Sequence, residues 1–149
     1  IKIKLLFIIY FIKYILILIL NLICVNAYYY LYIHKCNADA DFTIEFLRYQ
    51  YDNKHYPVYC NNEDFKYNNI KYMKHNLNHD FIDCDDKKNN LNYLKHIWKM
   101  YGICTNLDNY NYFNKSLVLF YNHSKLLNHY NCKHHKHCIL KYNDNFEIL

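Results

Sequence analysis

The sequence predicts an α+β domain that lies behind a cleavable leader and is cross-linked by disulfides. Three observations predict it. Strand-like segments open the exported part, helical periodicity dominates its middle, and an even set of cysteines stands behind an apolar N-terminal run. At 149 residues the chain has room for one domain and not two.

The first 23 residues form a long apolar run with Lys2 and Lys4 at its start and Lys13 inside it. The run leads to Val25-Asn26-Ala27, a small-x-small exit that suits signal-peptide cleavage after Ala27 and leaves a domain over residues 28–149. A membrane anchor is the rival, since about 20 apolar residues span a bilayer. The basic start and the Ala27 exit favour the signal peptide, hence a secreted domain with no membrane association after cleavage. Loss of the three leader lysines takes the net charge from +5 to +2, which does not mark a strongly basic nucleic-acid binder. Of seven cysteines, Cys24 leaves with the leader. Cys36, Cys60, Cys84, Cys104, Cys132 and Cys138 remain and read as three disulfides, with 15 connectivities open. The sequons Asn114-Lys115-Ser116 and Asn122-His123-Ser124 agree with that compartment.

Residues 28–33 are aromatic and β-branched and read as a strand. Residues 41–47 alternate, with Phe42, Ile44 and Phe46 on one face and Thr43, Glu45 and Leu47 on the other, and read as a second. A helix is expected over residues 62–77, its stripe made by Phe65, Ile70, Met73 and Leu77. The best helix covers residues 91–101, with Leu91, Leu94, Trp98 and Tyr101 on one face. Gly102 comes just after it, where a left-handed cap costs glycine least. A third helix is expected over residues 109–128, with Phe113, Leu117, Phe120 and Leu127 inward, and Ile139 and Leu140 suit a short strand in the polar tail. Tyr, Asn, Lys and Ile dominate the composition, while Gly, Pro and Trp each occur once. A local demand is expected wherever one of those three appears.

Two segments carry a resemblance. Asp41-Phe42-Thr43-Ile44-Glu45-Phe46-Leu47-Arg48, with Tyr56-Pro57-Val58-Tyr59-Cys60 beyond it, resembles the first active-site motif of the ribonuclease T2 family, F-x-I-H-G-L-W-P and then Y-P-x-x-C. His96-Ile97-Trp98-Lys99-Met100-Tyr101-Gly102-Ile103-Cys104 resembles the second, H-E-W-x-K-H-G-T-C. The lone Pro, Trp and Gly all fall on motif positions. The resemblance covers residues 28–128 and implies a ribonuclease T2-like antiparallel sheet packed with helices. It also implies the pairing Cys60–Cys104 and, by the same logic, Cys36–Cys84; Cys132 and Cys138 remain, with a local bridge open to them. The family domain continues with further core strands after the helix beyond the second motif. Here only residues 129–149 remain, so the expectation is either a shortened C-terminal part, with residues 138–142 as its remnant, or a truncated chain.

The family cleaves RNA without a metal. A base takes the ribose 2′ proton, an acid protonates the leaving oxygen, and a cation meets the phosphorane charge. The resemblance places the first catalytic histidine at Glu45, the glutamate at Ile97, the lysine at Met100 and the second histidine at Tyr101. Arg48 and Tyr49 stand at the first motif's Trp and Pro, and only His96 and Trp98 survive from the polar-aromatic set. Each general acid or base contributes roughly 10²–10⁴-fold. Ile97 and Met100 cannot transfer protons, and a tyrosine with a pKa of about 10 is a poor base at neutrality. No intact catalytic set is therefore expected. His96 reads as a polar helix residue, with a retained phosphate contact as its alternative, and Trp98 as a core residue rather than a base-stacking one.

The tail Cys132-Lys133-His134-His135-Lys136-His137-Cys138 invites a metal, but in an oxidising compartment its cysteines read as a disulfide and its histidines as a solvated loop. No cofactor and no metal are expected. The leading expectation is a secreted pseudoenzyme that binds a protein partner or RNA. The alternatives are an active T2-type endonuclease with an altered catalytic set, yielding 2′,3′-cyclic phosphates, and an unrelated small secreted metal-binding protein.

Overall fold

The computed structural model describes residues 12–13, 27–51, 55–86, 90–127, 132 and 135–149. The expected signal segment and Cys24 lie outside the described residues, apart from Ile12, Lys13 and Ala27. Among the described residues no helix is long and apolar enough to cross a membrane.

Three strands form one antiparallel sheet. β1 (Tyr28–His34) is central, β2 (Thr43–Gln50) lies on one side and β3 (His137–Tyr142) on the other. Aromatic and β-branched residues favour such a pleated surface. Alternation in β1 sends Tyr29, Leu31 and Ile33 inward, where Leu47, Leu140 and Tyr142 join them. The remnant strand expected at Ile139 and Leu140 is β3, paired with β1 from Tyr29↔Tyr142 to His34↔His137.

β2 departs from the expected two-residue alternation. Tyr32 pairs with Phe46 and Ile33 with Ile44, which leaves Glu45 as an extra residue. This bulge shifts the side-chain phase. Ile44 and Leu47 are both fully buried although the two lie an odd number of positions apart, and Phe46 stacks on Tyr32. The face assignment made from strict alternation is thus corrected: Leu47 points inward and Phe46 does not.

The helical layer begins irregularly. In place of one helix over residues 62–77, α1 (Tyr67–Ile70) leads into a 3₁₀ turn, Lys71–Met73, and then α2 (Lys74–Asp80). Asn68 and Asn69 are poor helix formers, and no side chain caps the start of α1. Two short helices still bury Ile70 and Leu77. Phe65 reaches Phe113 from ahead of α1, with ring centroids 6.2 Å apart.

α3 (Asn90–Met100) buries Leu94, Ile97 and Trp98. Leu91, expected on that stripe, is exposed, because it faces an open groove that it lines with Tyr67, Leu77 and Leu94. Gly102 is also corrected. It does not adopt a left-handed conformation; it opens a 3₁₀ turn, Gly102–Cys104. The demand for glycine is steric, since a Cβ there would lie 2.3 Å from Cε3 of Trp98.

α4 (Asn109–His123) starts at Asp108, whose Oδ1 accepts the Asn111 N–H at 2.7 Å. It buries Tyr112, Phe113, Ser116, Leu117, Leu119 and Phe120. It stops earlier than residue 128, passing into a 3₁₀ turn at Ser124–Leu126. Tyr112 carries the joint to the sheet. Its hydroxyl donates to the Leu47 carbonyl at 2.9 Å and accepts the Leu47 N–H at 3.2 Å, satisfying both backbone groups at the sheet edge. The disulfides are Cys36–Cys84 and Cys60–Cys104, the pairing the resemblance implies, and Cys132–Cys138, the local bridge left open by the sequence.

Candidate functional site

The two motif segments meet beside the outer end of β2. Cys60–Cys104 ties the loop after Pro57 to the turn after α3. The Tyr59 N–H donates to the Met100 carbonyl at 3.1 Å and reinforces that clamp. A third contact fixes the bulge: the Tyr93 hydroxyl of α3 donates to the Glu45 carbonyl at 2.9 Å.

An aromatic stack bridges the motifs. Tyr101 lies over Phe46 with ring centroids 4.1 Å apart, and Phe46 lies over Tyr32 at 4.5 Å. The Arg48 guanidinium sits 4.7 Å from the Tyr32 ring and 3.7 Å from the Tyr56 ring. It also donates to the Tyr32 hydroxyl, and to Gln50 Oε1 at 2.9 Å. Tyr56, Val58 and Tyr59 stay exposed along the rim. Burial pushes the Tyr101 phenol above its ordinary range; Tyr56 and Glu45 add to that and Arg48 opposes it. Burial raises Tyr32 as well, again against Arg48. These phenols hold their protons through neutrality.

On the other side of Glu45 stand two histidines. His137 Nδ1 is 3.5 Å and His34 Nδ1 3.9 Å from Glu45 Oε2. His34 Nε2 lies 3.1 Å from the Ile82 carbonyl, which can only accept, so Nε2 carries the proton. Burial pulls His34 below its usual value; Glu45 and the Ile82 carbonyl pull the other way, while His137 and Lys136 reinforce the decrease.

The residues singled out by sequence are therefore only partly assembled. Tyr101 stacks on Phe46, the neighbour of Glu45, and feels the Glu45 charge, with Met100 half-exposed at the clamp. Ile97 does not line the site, because it is buried in the core. Trp98 is fully buried with its ring centroid 5.7 Å from that of Tyr112, a core residue as expected. His96 is exposed, and no hydrogen bond or ion pair among the described residues ties it to Glu45. Asn122 is exposed near the end of α4, whereas Asn114 is half-buried and the Ser116 of its sequon is fully buried, bonded to the Tyr112 carbonyl at 2.8 Å. Sequence reasoning missed His34, His137 and Tyr93. The alternation of Tyr30, Tyr32 and His34 carried a signal for the first; the other two depend on long-range pairing.

A three-stranded antiparallel sheet, backed by helices and carrying two disulfide-clamped motif segments on one edge, defines a T2-type α+β domain. The sequence model of the Ribonuclease T2 family matches residues 14–142, and the chain belongs to that family. No curated protein matches it by sequence. Among solved structures it is similar to an RNase-related protein from Calystegia sepium, at 14% identity and a TM-score of 0.64, over 83% of this chain and 89% of that one. It is also similar to trichomaglin, described as an S-like ribonuclease, at 18% identity and a TM-score of 0.63, over 83% and 90%. Ribonuclease MC1 from the seeds of bitter gourd aligns at 18% identity and a TM-score of 0.60 over 65% of this chain. The aligned part spans 58% of the bitter gourd protein's length.

Proposed function

We propose that this chain is an exported T2-family protein that binds rather than cleaves. The observation that carries the reading is the Phe46–Tyr101 stack between the motifs. T2 chemistry needs a base, an acid and a cation around one phosphate. Tyr101 is a raised phenol, Met100 is inert, Ile97 is withdrawn into the core, and Glu45 repels phosphate. Arg48 is engaged with Tyr32, Tyr56 and Gln50. What the strip offers instead is exposed tyrosine beside arginine, a chemistry common to the anchors of protein interfaces and to base-stacking platforms. Export is supported by the leader with its Ala27 exit and by the disulfides. Asn122 suits glycan attachment better than Asn114 on exposure.

The test is an RNA digest with the oxidised full chain across pH 4–8, read as 2′,3′-cyclic phosphate ends. None are expected. A second reading has its own observation, the two histidines flanking Glu45, which can serve as a displaced acid and base. Cleavage abolished by His137→Ala would establish that reading, cleavage abolished only by His96→Ala would put the chemistry on His96 instead, and either result would end the first reading. Anisotropy with labelled single-stranded RNA then tests one ligand class: binding lost in Tyr56→Ala points to RNA, and no binding removes RNA as the ligand.

A further inference from the structure

We infer that His34, Glu45 and His137 form a binding site for a divalent transition-metal ion of the zinc class. The site stands on its own geometry and does not depend on whether the chain cleaves RNA.

Each of the three strands supplies one ligand. His34 closes β1, its register partner His137 opens β3, and Glu45 is the bulged residue of β2. The bulge matters here, because it removes Glu45 from the regular alternation and lets its carboxylate reach the two imidazoles. One ligand atom from each residue lies within 4.8 Å of the other two. Tetrahedral zinc with nitrogen and oxygen ligands near 2.0–2.1 Å separates neighbouring ligand atoms by about 3.3 Å. The His137–Glu45 separation of 3.5 Å is already close to that, and the His34–Glu45 separation of 3.9 Å needs only a small adjustment.

The donor chemistry agrees. The Ile82 carbonyl holds the His34 proton on Nε2, so the Nδ1 lone pair faces Glu45 Oε2. A carboxylate also only accepts, so two acceptors confront each other and a cation between them resolves the mismatch. A metal-ligating imidazole normally gives its other N–H to a carbonyl or carboxylate, which is the role of Ile82 here. The Tyr93 bond to the Glu45 carbonyl fixes the second ligand's backbone. Two imidazoles with one carboxylate suit zinc over calcium or magnesium, which prefer all-oxygen shells. His34 is buried, but the His137 side chain is 59% exposed, so a fourth position opens to solvent.

The test is titration of the oxidised full chain with Zn²⁺, by calorimetry and by the shift in melting temperature. One ion per chain and a chelator-reversible rise in melting temperature are expected. His137→Ala and Glu45→Gln, both on accessible side chains, should each weaken binding at least tenfold while keeping the circular dichroism spectrum. His34→Gln should do the same, but it is buried, so the other two variants decide. His135→Ala should leave the affinity unchanged. No thermal shift with Zn²⁺, full affinity in His137→Ala, or binding lost only in His135→Ala would each overturn the site.

Discussion

Trp98 and Tyr101 stand three residues apart at the end of α3 and serve regions of different kinds. Trp98 belongs to a seam with Gly102, Tyr112 and the Cys60–Cys104 bridge. There the residues fit one another so closely that one added carbon collides. Tyr101 belongs to the strip over β2, where a phenol stands at the position of the family's second histidine and is held in a stack of rings beside a guanidinium. Among the motif residues that remain, Trp98, Gly102, Cys60 and Cys104 are ones the seam needs, whereas His96 is exposed. The fold and the chemistry therefore make separable demands on the same motif, and meeting the first does not supply the second.

That contrast breaks if the seam tolerates change as readily as the strip. Trp98→Ala should cost about 3–5 kcal/mol, the usual range for emptying a fully buried aromatic site. Gly102→Ala should cost about 1–3 kcal/mol through overpacking against the indole. Urea unfolding of each variant measures both. A loss near zero for Gly102→Ala would show that the indole moves freely and that the seam is loose.

Legibility from sequence divides along related lines. The α+β order was legible because β1 is aromatic and β-branched and α3 has strong helical periodicity. The cysteine pairing came from the family resemblance, since six cysteines alone leave every connectivity open. The faces of β2 were misread because a bulge is set by cross-strand register, which local alternation does not encode. Gly102 was singled out correctly for the wrong cause: its partner is Trp98, packed from one turn earlier, not a left-handed backbone. At the site, Glu45 and Tyr101 were found through the motifs. His137 was read as a solvated loop because its pairing with His34 spans nearly the whole domain.

Tyr112→Phe probes the joint between the regions. It keeps the ring and removes the hydroxyl that serves both Leu47 backbone groups. A buried group left unsatisfied costs about 1–3 kcal/mol, so a loss of that size is expected, with faster hydrogen exchange at the Leu47 amide. Unchanged exchange would show that the sheet edge finds another partner. Within the strip the effects should be smaller. A double-mutant cycle on Phe46→Leu and Tyr101→Leu should return a coupling of about 0.5–1.5 kcal/mol, typical of an aromatic pair. A larger coupling would place the strip on a par with the seam.

The smallest effect is a pH slope whose sign is set by burial. His34 has a folded pKa below its ordinary 6.5, because burial disfavours the imidazolium more than Glu45 and the Ile82 carbonyl favour it. Between the lowered value and 6.5 the unfolded chain binds more protons, so stability rises with pH across that window. The contribution is complete above about 6.5 and is lost as the solution is acidified through the folded value. Glu45 on β2 and His137 and Lys136 on the β3 side are the charged groups facing it. His79 has the opposite sign, since its bond to Asp80 raises it, so its contribution fades above 6.5 rather than below. The two windows do not overlap, and His34→Gln should flatten only the acid side of the stability profile. A flattening on the alkaline side would mean that the folded chain favours the charged imidazole, with its Nδ1 facing Glu45 as a donor, and no flattening would mean that folding leaves His34 unshifted.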